Sequence, residues 1–124
     1  MILCVHIHKG VAKYFRYGRK ERYDLALRQA WRLDHDKADQ VTTLVGFIEG
    51  RVVAVLENVE RWTLSCEDTN PVHESSSEGR IIFHGGILYT ELDFNNRHSL
   101  MYKKFSWGRG HKYLHEDTVK DFIR

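Results

Sequence analysis

The chain predicts an α+β fold: a mostly antiparallel, strongly bent sheet or small β-barrel, with one central helix and a C-terminal helix packed at one side. Three observations carry that prediction. Strand-like runs rich in Val, Ile, Leu, Thr and Phe clearly outnumber helical ones. One segment, Glu21 to Leu33, has an unambiguous helical period, with Tyr23, Ala26, Leu27, Ala30 and Leu33 recurring at three- and four-residue steps. That helix falls between a first strand and a long central hairpin, an order suited to helices gathered on one side of a curved sheet.

Each element has its own reason. In Leu3 to His8 the apolar Leu3, Val5 and Ile7 alternate with Cys4, His6 and His8, the period of a half-buried strand. Gly10 breaks it, and Val11 to Tyr17 reads as a second short strand or an ordered loop before Gly18. Asp24, Arg28 and Arg32 form a row on the outer side of the central helix. Asp24 ahead of Arg28 is the favourable i,i+4 order, and it leaves the two arginines available to an anion. The polar, cap-rich Asp34 to Asp39 ends the helix near Leu33. Val41 to Glu49 and Val52 to Trp62 flank Gly50-Arg51, the Gly-X signature of a two-residue II′ turn. Glu67 to Glu78, with Asn70-Pro71 and Ser75-Ser76-Ser77, reads as a long exposed loop. Arg80 to His84 and Ile87 to Leu92 flank Gly85-Gly86, a plausible second hairpin. Leu100-Met101-Tyr102 and Phe105 offer a further strand, and Trp107 to His111 a glycine-broken loop. A terminal helix from about His115 has Glu116 and Asp117 in its first turn, where the helix dipole favours anions.

The 124 residues have the size of one domain, 1–124, and 42% hydrophobic residues with a single proline fit a packed core rather than a disordered chain. No apolar run approaches the roughly 20 residues that span a bilayer. Met1 to Ile7 has no basic segment before it and no small-residue cleavage site, so it reads as a strand and not a signal peptide. A cytoplasmic location with no membrane partner is the default expectation. Cys4 and Cys66 are too few and too far apart in sequence for a disulfide framework or a CxxC metal site.

Charge is segregated along the chain. Residues 9–32 carry eight Lys/Arg against Glu21 and Asp24, residues 33–96 carry four basic and twelve acidic groups, and residues 97–112 carry five basic groups and no acid. Aromatic rings interleave with the positive charge twice, in Lys13 to Lys20 and in Lys103 to Tyr113. Single-stranded nucleic acid is held by such combinations, since cations follow phosphates while flat rings stack on bases, each stack worth ~1 to 3 kcal/mol. The expected nucleic-acid or phosphate-binding residues are Arg16, Arg19, Lys20, Arg28 and Arg32 on one side of a groove. Lys103, Lys104, Arg109 and Lys112 form the other side, with Tyr17 and Trp107 as stacking surfaces.

The order of elements resembles the PUA-like group of small barrels, which includes the EVE and ASCH domains. The residues behind the resemblance are Tyr23 to Leu33 with its Ala30-Trp31-Arg32-Leu33 end, Ala38, Val45-Gly46, Glu49 to Val53 and Trp62. Tyr113 to Phe122 is similar to a closing segment of small uncharacterised phage or restriction-linked domains. The resemblance spans most of the chain and implies a partner that is RNA, single-stranded DNA or DNA with modified bases, without naming which.

Other constellations are weaker. His6 and His8 project to one face of a strand, but no third or fourth ligand spacing accompanies them, so no metal is expected. Glu57, Glu60, Asp68, Glu91 and Asp93 each lie within reach of a histidine, and nothing in their spacing selects an acid–base pair. Trp31 and Trp62 read as packing residues. The favoured function is a non-enzymatic nucleic-acid-binding domain with no cofactor and no catalytic residue. The alternatives are a phage-type anti-defence protein that sequesters a nucleotide signal, an enzyme using a His and carboxylate pair on nucleotides or nucleic acid, and a protein-interaction module using the acidic middle section.

Overall fold

A computed structural model describes residues 1–65 and 80–124. The loop expected over Glu67 to Glu78, and with it Cys66, Asp68 and His73, lies outside the described residues. The fold is α+β, with a five-stranded, mostly antiparallel sheet that does not close into a barrel. Strands β1 (Ile2–His6), β3 (Thr43–Ile48), β4 (Arg51–Glu57), β7 (Ile87–Thr90) and β8 (Lys112–Leu114) form it in the order β7-β4-β3-β1-β8. Only the β1–β3 pair is parallel. A separate three-stranded sheet has β6 (Ile81–His84) between β2 (Gln29–Trp31) and β5 (Arg61–Leu64). The helices are α1 (His8–Lys13), α2 (Arg19–Arg28), α3 (His35–Gln40) and α4 (Val119–Phe122), the last preceded by a 3₁₀ turn at Glu116–Thr118.

The large sheet is covered on both faces. Leu3, Val5, Ile7, Leu44, Ala54 and Leu56 pack with Tyr23, Ala26 and Leu27 of α2 and with Ile81 and Phe83 of the small sheet. Cys4, Val45, Phe47, Val52 and Val55 pack on the opposite side with Met101, Leu114 and Ile123. The polar side expected for β1 is therefore a second core face, because the C-terminal segment lies over it. Cys4 is fully buried there, and burial pushes its thiol up to about 12. A native sample treated with iodoacetamide at pH 8 is expected to leave the Cys4 peptide unmodified, whereas unfolded protein reacts fully. Mass spectrometry of that peptide decides, and native alkylation within minutes would contradict the buried placement.

Five local expectations are corrected. The segment Val11 to Tyr17 is not a strand: it holds the last turn of α1 and a turn into α2. The central helix stops at Arg28, five residues before Leu33, because the backbone of Gln29 and Trp31 pairs with Ile82 and Ile81 instead. That pairing is a tertiary demand with no glycine or proline to announce it. The hairpin between β3 and β4 turns on Glu49 and Gly50, both at positive φ (53° and 77°), which makes it type I′ rather than II′. Gly85-Gly86 does not close a hairpin, since β6 and β7 belong to different sheets and the two glycines carry the chain from one to the other. Leu100 to Phe105 forms turns whose backbone bonds to Val52 and Gly50, with a single bridge at Lys104, rather than a strand.

A candidate anion-binding cavity

The ends of four strands meet at one edge of the molecule. β1 ends at His6, and the chain turns into α1, which begins with His8 and Lys9. β2 ends at Trp31 and is followed by Arg32, β6 is preceded by Arg80, and β8 is preceded by Arg109, Gly110 and His111. These nine residues line a cavity of about 730 Å³. A hollow of this size lies within the range of roughly 300–1,000 Å³ typical of small-ligand sites. Four of its side chains carry permanent positive charge, three are imidazoles, and among the described residues none of the lining is acidic.

Local packing fixes this arrangement. A methyl group on Gly10 would sit 2.8 Å from Ala26 Cβ, so glycine is what lets α1 lie close against α2 and bring Lys9 to the rim. The Trp31 indole N–H donates to the Leu27 carbonyl (2.6 Å), leaving its ring rather than a donor for the cavity. Trp107 stacks on His6 with centroids 4.1 Å apart and planes 21° apart, sits edge-on to Phe47, and donates its N–H to the Gly110 carbonyl (3.1 Å). The loop that presents Arg109 is thus pinned at Trp107, while a Cβ added at Gly108 or Gly110 would meet nothing within 4 Å. Burial of His111 disfavours its charged form and holds its pKa below the usual value.

Of the expected site residues, Arg32 and Arg109 line this cavity, and they bring the two basic segments to one place together with Lys9. The others are placed elsewhere. Arg28 lies inside the fold: its guanidinium donates to Asp24 Oδ1 (3.0 and 2.6 Å) and to the carbonyls of Phe83 (3.2 Å) and Gly85 (3.5 Å). Lys20 pairs with Asp93 (3.0 Å), Arg16 lies over Phe15, and Arg19 starts α2. Lys104 borders a different hollow with Glu49, Phe105 and Phe122, its neighbour Lys103 bonds Val52 through its carbonyl, and Lys112 is exposed on β8. Tyr17 is half-buried with its ring edge-on to Tyr14. Trp107 lends its ring to His6, one of the lining residues.

Sequence reasoning passed over Arg80 and His111 and read Trp31 as packing. Arg80 sits in an acidic stretch that gives no local signal. His6 and His8 stood out as a pair, but His8 opens α1 instead of continuing the strand. No group of three or more His, Cys, Asp or Glu among the described residues is placed to hold a metal ion. A second hollow of about 480 Å³ is lined by Asp39, Glu60, Arg61 and Trp62, with Trp62 donating to Asp39 (2.7 Å). Its described lining carries charges of both signs, unlike that of the first. Away from both, His98 accepts the Leu100 N–H at Nδ1 (3.1 Å), which leaves Nε2–H to donate to Glu57 (2.5 Å). Compared with family models, curated proteins and solved structures, the chain matches none.

Proposed function

We propose that the protein is a nucleic-acid-binding domain of PUA-like type, acting by binding rather than by turnover, and that the cavity between the strand ends is where the nucleic acid is held. The observation that carries this reading is the convergence of Lys9, Arg32, Arg80 and Arg109 on one hollow with no carboxylate in its described lining. Converging charges of one sign inside low-dielectric walls focus the field and draw in polyanions. Arginine adds a planar fork that meets two phosphate oxygens at once. Trp31, and the His6 ring braced by Trp107, supply flat surfaces against which a base can rest. The resemblance of the element order to PUA-like domains points to the same class of ligand. No helix among the described residues is long and apolar enough to cross a membrane.

The test is salt dependence. Each phosphate neutralised on a single strand releases counterions and contributes about −0.7 to the slope of log K against log salt, so three or four cations give a slope of about −2 to −3. Fluorescence-anisotropy titrations of a labelled single-stranded oligonucleotide from low to moderate salt measure it. A flat slope removes the proposal. A second reading, sequestration of a free nucleotide, is favoured by the size of the cavity, about 730 Å³, which falls in the small-ligand range.

A further inference from the structure

We propose that the cavity recognises the phosphorylated end of a nucleotide, a phosphomonoester or polyphosphate, in preference to internal phosphodiesters. This rests on the reading of the cavity as the site of nucleic-acid or nucleotide binding and narrows it to a ligand class. The shared chemistry is a charge-dense terminal phosphate, whether carried by a strand end or by a free nucleotide.

The first argument is shape. A binder of continuous single strand needs a track of cations spaced along the backbone. Here the four cations come from α1, the end of β2, the start of β6 and the loop before β8, and they surround one hollow. The other basic residues of the two segments, Arg16, Arg19, Lys20, Lys103, Lys104 and Lys112, do not line it. A hollow of about 730 Å³ is only about 11 Å across if round, which leaves room for about one nucleotide unit.

The second argument is charge. An internal phosphodiester brings one negative charge, and a terminal monoester brings about −1.5 to −2 near pH 7 with three acceptor oxygens. Each further phosphoryl group in a di- or triphosphate adds another charge. Lys9 and Arg109 alone bring two permanent charges to the one hollow, which the dianion of a terminal monoester matches and a single diester does not, and Arg32 and Arg80 stand beside them.

The experiment compares one oligonucleotide sequence carrying a 5′-hydroxyl, a 5′-phosphate or a 5′-triphosphate with its covalently circular form. A nucleoside and its mono-, di- and triphosphates, and inorganic tripolyphosphate as competitor, complete the series. The expected result is a rise of about tenfold or more for each step in terminal charge, with the circular strand binding like the 5′-hydroxyl strand. Arg109→Gln, on a loop with open space around its glycines, is expected to flatten the series while the melting temperature stays put. Tight binding of the phosphorylated strand with weak binding of nucleotides assigns the site to strand ends, and the reverse assigns it to free nucleotides. Both support the inference. Equal affinity for hydroxyl, phosphorylated and circular strands overturns end recognition and leaves nucleic-acid binding standing. If no member of either series binds, the functional reading itself falls.

Discussion

Reversing the charge of both Arg32 and Arg109 is expected to weaken ligand binding by about 100- to 1,000-fold. Hydrogen bonds to charged groups contribute about 1.5–3 kcal/mol each, and reversal adds repulsion to the loss. The pair is chosen because each residue belongs to one of the two basic segments and both line the same cavity. The control is Arg16→Glu with Arg19→Glu, which removes as much positive charge from the surface. Those two sit at the turn into α2 and do not line the cavity, so the control is expected to stay within about threefold of the parent at moderate salt, where screening acts over about 10 Å. Anisotropy titrations of all three proteins, with thermal melts to confirm folding, measure the contrast. Equal losses in the two double variants would show that diffuse surface charge, and not this hollow, holds the ligand.

The largest effect on stability is expected at Gly86. Its φ of 87° is one that side chains rarely adopt, and a Cβ there would lie 2.6 Å from the carbonyl oxygen of Glu57. That oxygen belongs to the edge of β4, where β7 pairs, so it cannot yield as a flexible side chain would. Gly86→Ala is expected to cost about 2–4 kcal/mol, combining backbone strain with overpacking, and to lower Tm by about 10 °C or more. Gly85 is the internal comparison. It has a similar φ of 77°, but a Cβ there would meet the Glu60 side chain, which can swing away. Gly85→Ala should therefore cost about 1–2 kcal/mol, mostly strain. If chemical denaturation gave the two variants the same loss, the tight crossing from the small sheet to the large one would be wrong.

That crossing also shows where local sequence reading stops. A glycine pair between two apolar runs looks the same whether the runs pair with each other or part company, and only the partners β4 and β5 decide between the two. The β3–β4 hairpin was legible because two runs rich in Val, Ile, Leu, Thr and Phe flank a glycine turn signal, although the turn falls one residue earlier than the Gly-X pattern suggests. The body of α2 and its buried Tyr23, Ala26 and Leu27 follow from helical period, although the helix begins at Arg19, two residues before the periodic stretch. Its end does not, because Gln29 and Trp31 are drawn into a sheet by a strand some fifty residues away.

The candidate site was legible as a charge pattern and not as a residue set. Segregation of lysine and arginine into residues 9–32 and 97–112 pointed at Arg32 and Arg109. Periodicity placed Arg28 on an outer face, but it is consumed by the carbonyls that end β6. Arg80 and His111 reach the cavity because strand ends converge there, and no local pattern encodes convergence.

The position of β1 in the large sheet shapes how this molecule forms. Its neighbours are β3, which follows α1 to α3, and β8, which comes after every other strand. One edge of β1 therefore waits for nearly all of the polypeptide to emerge during synthesis. Until then Leu3, Cys4 and Val5 offer an open, apolar ribbon to any other chain nearby. With so many partners distant along the chain, assembly should be slow for a domain of this size, and the interval before β8 docks is its most aggregation-prone moment.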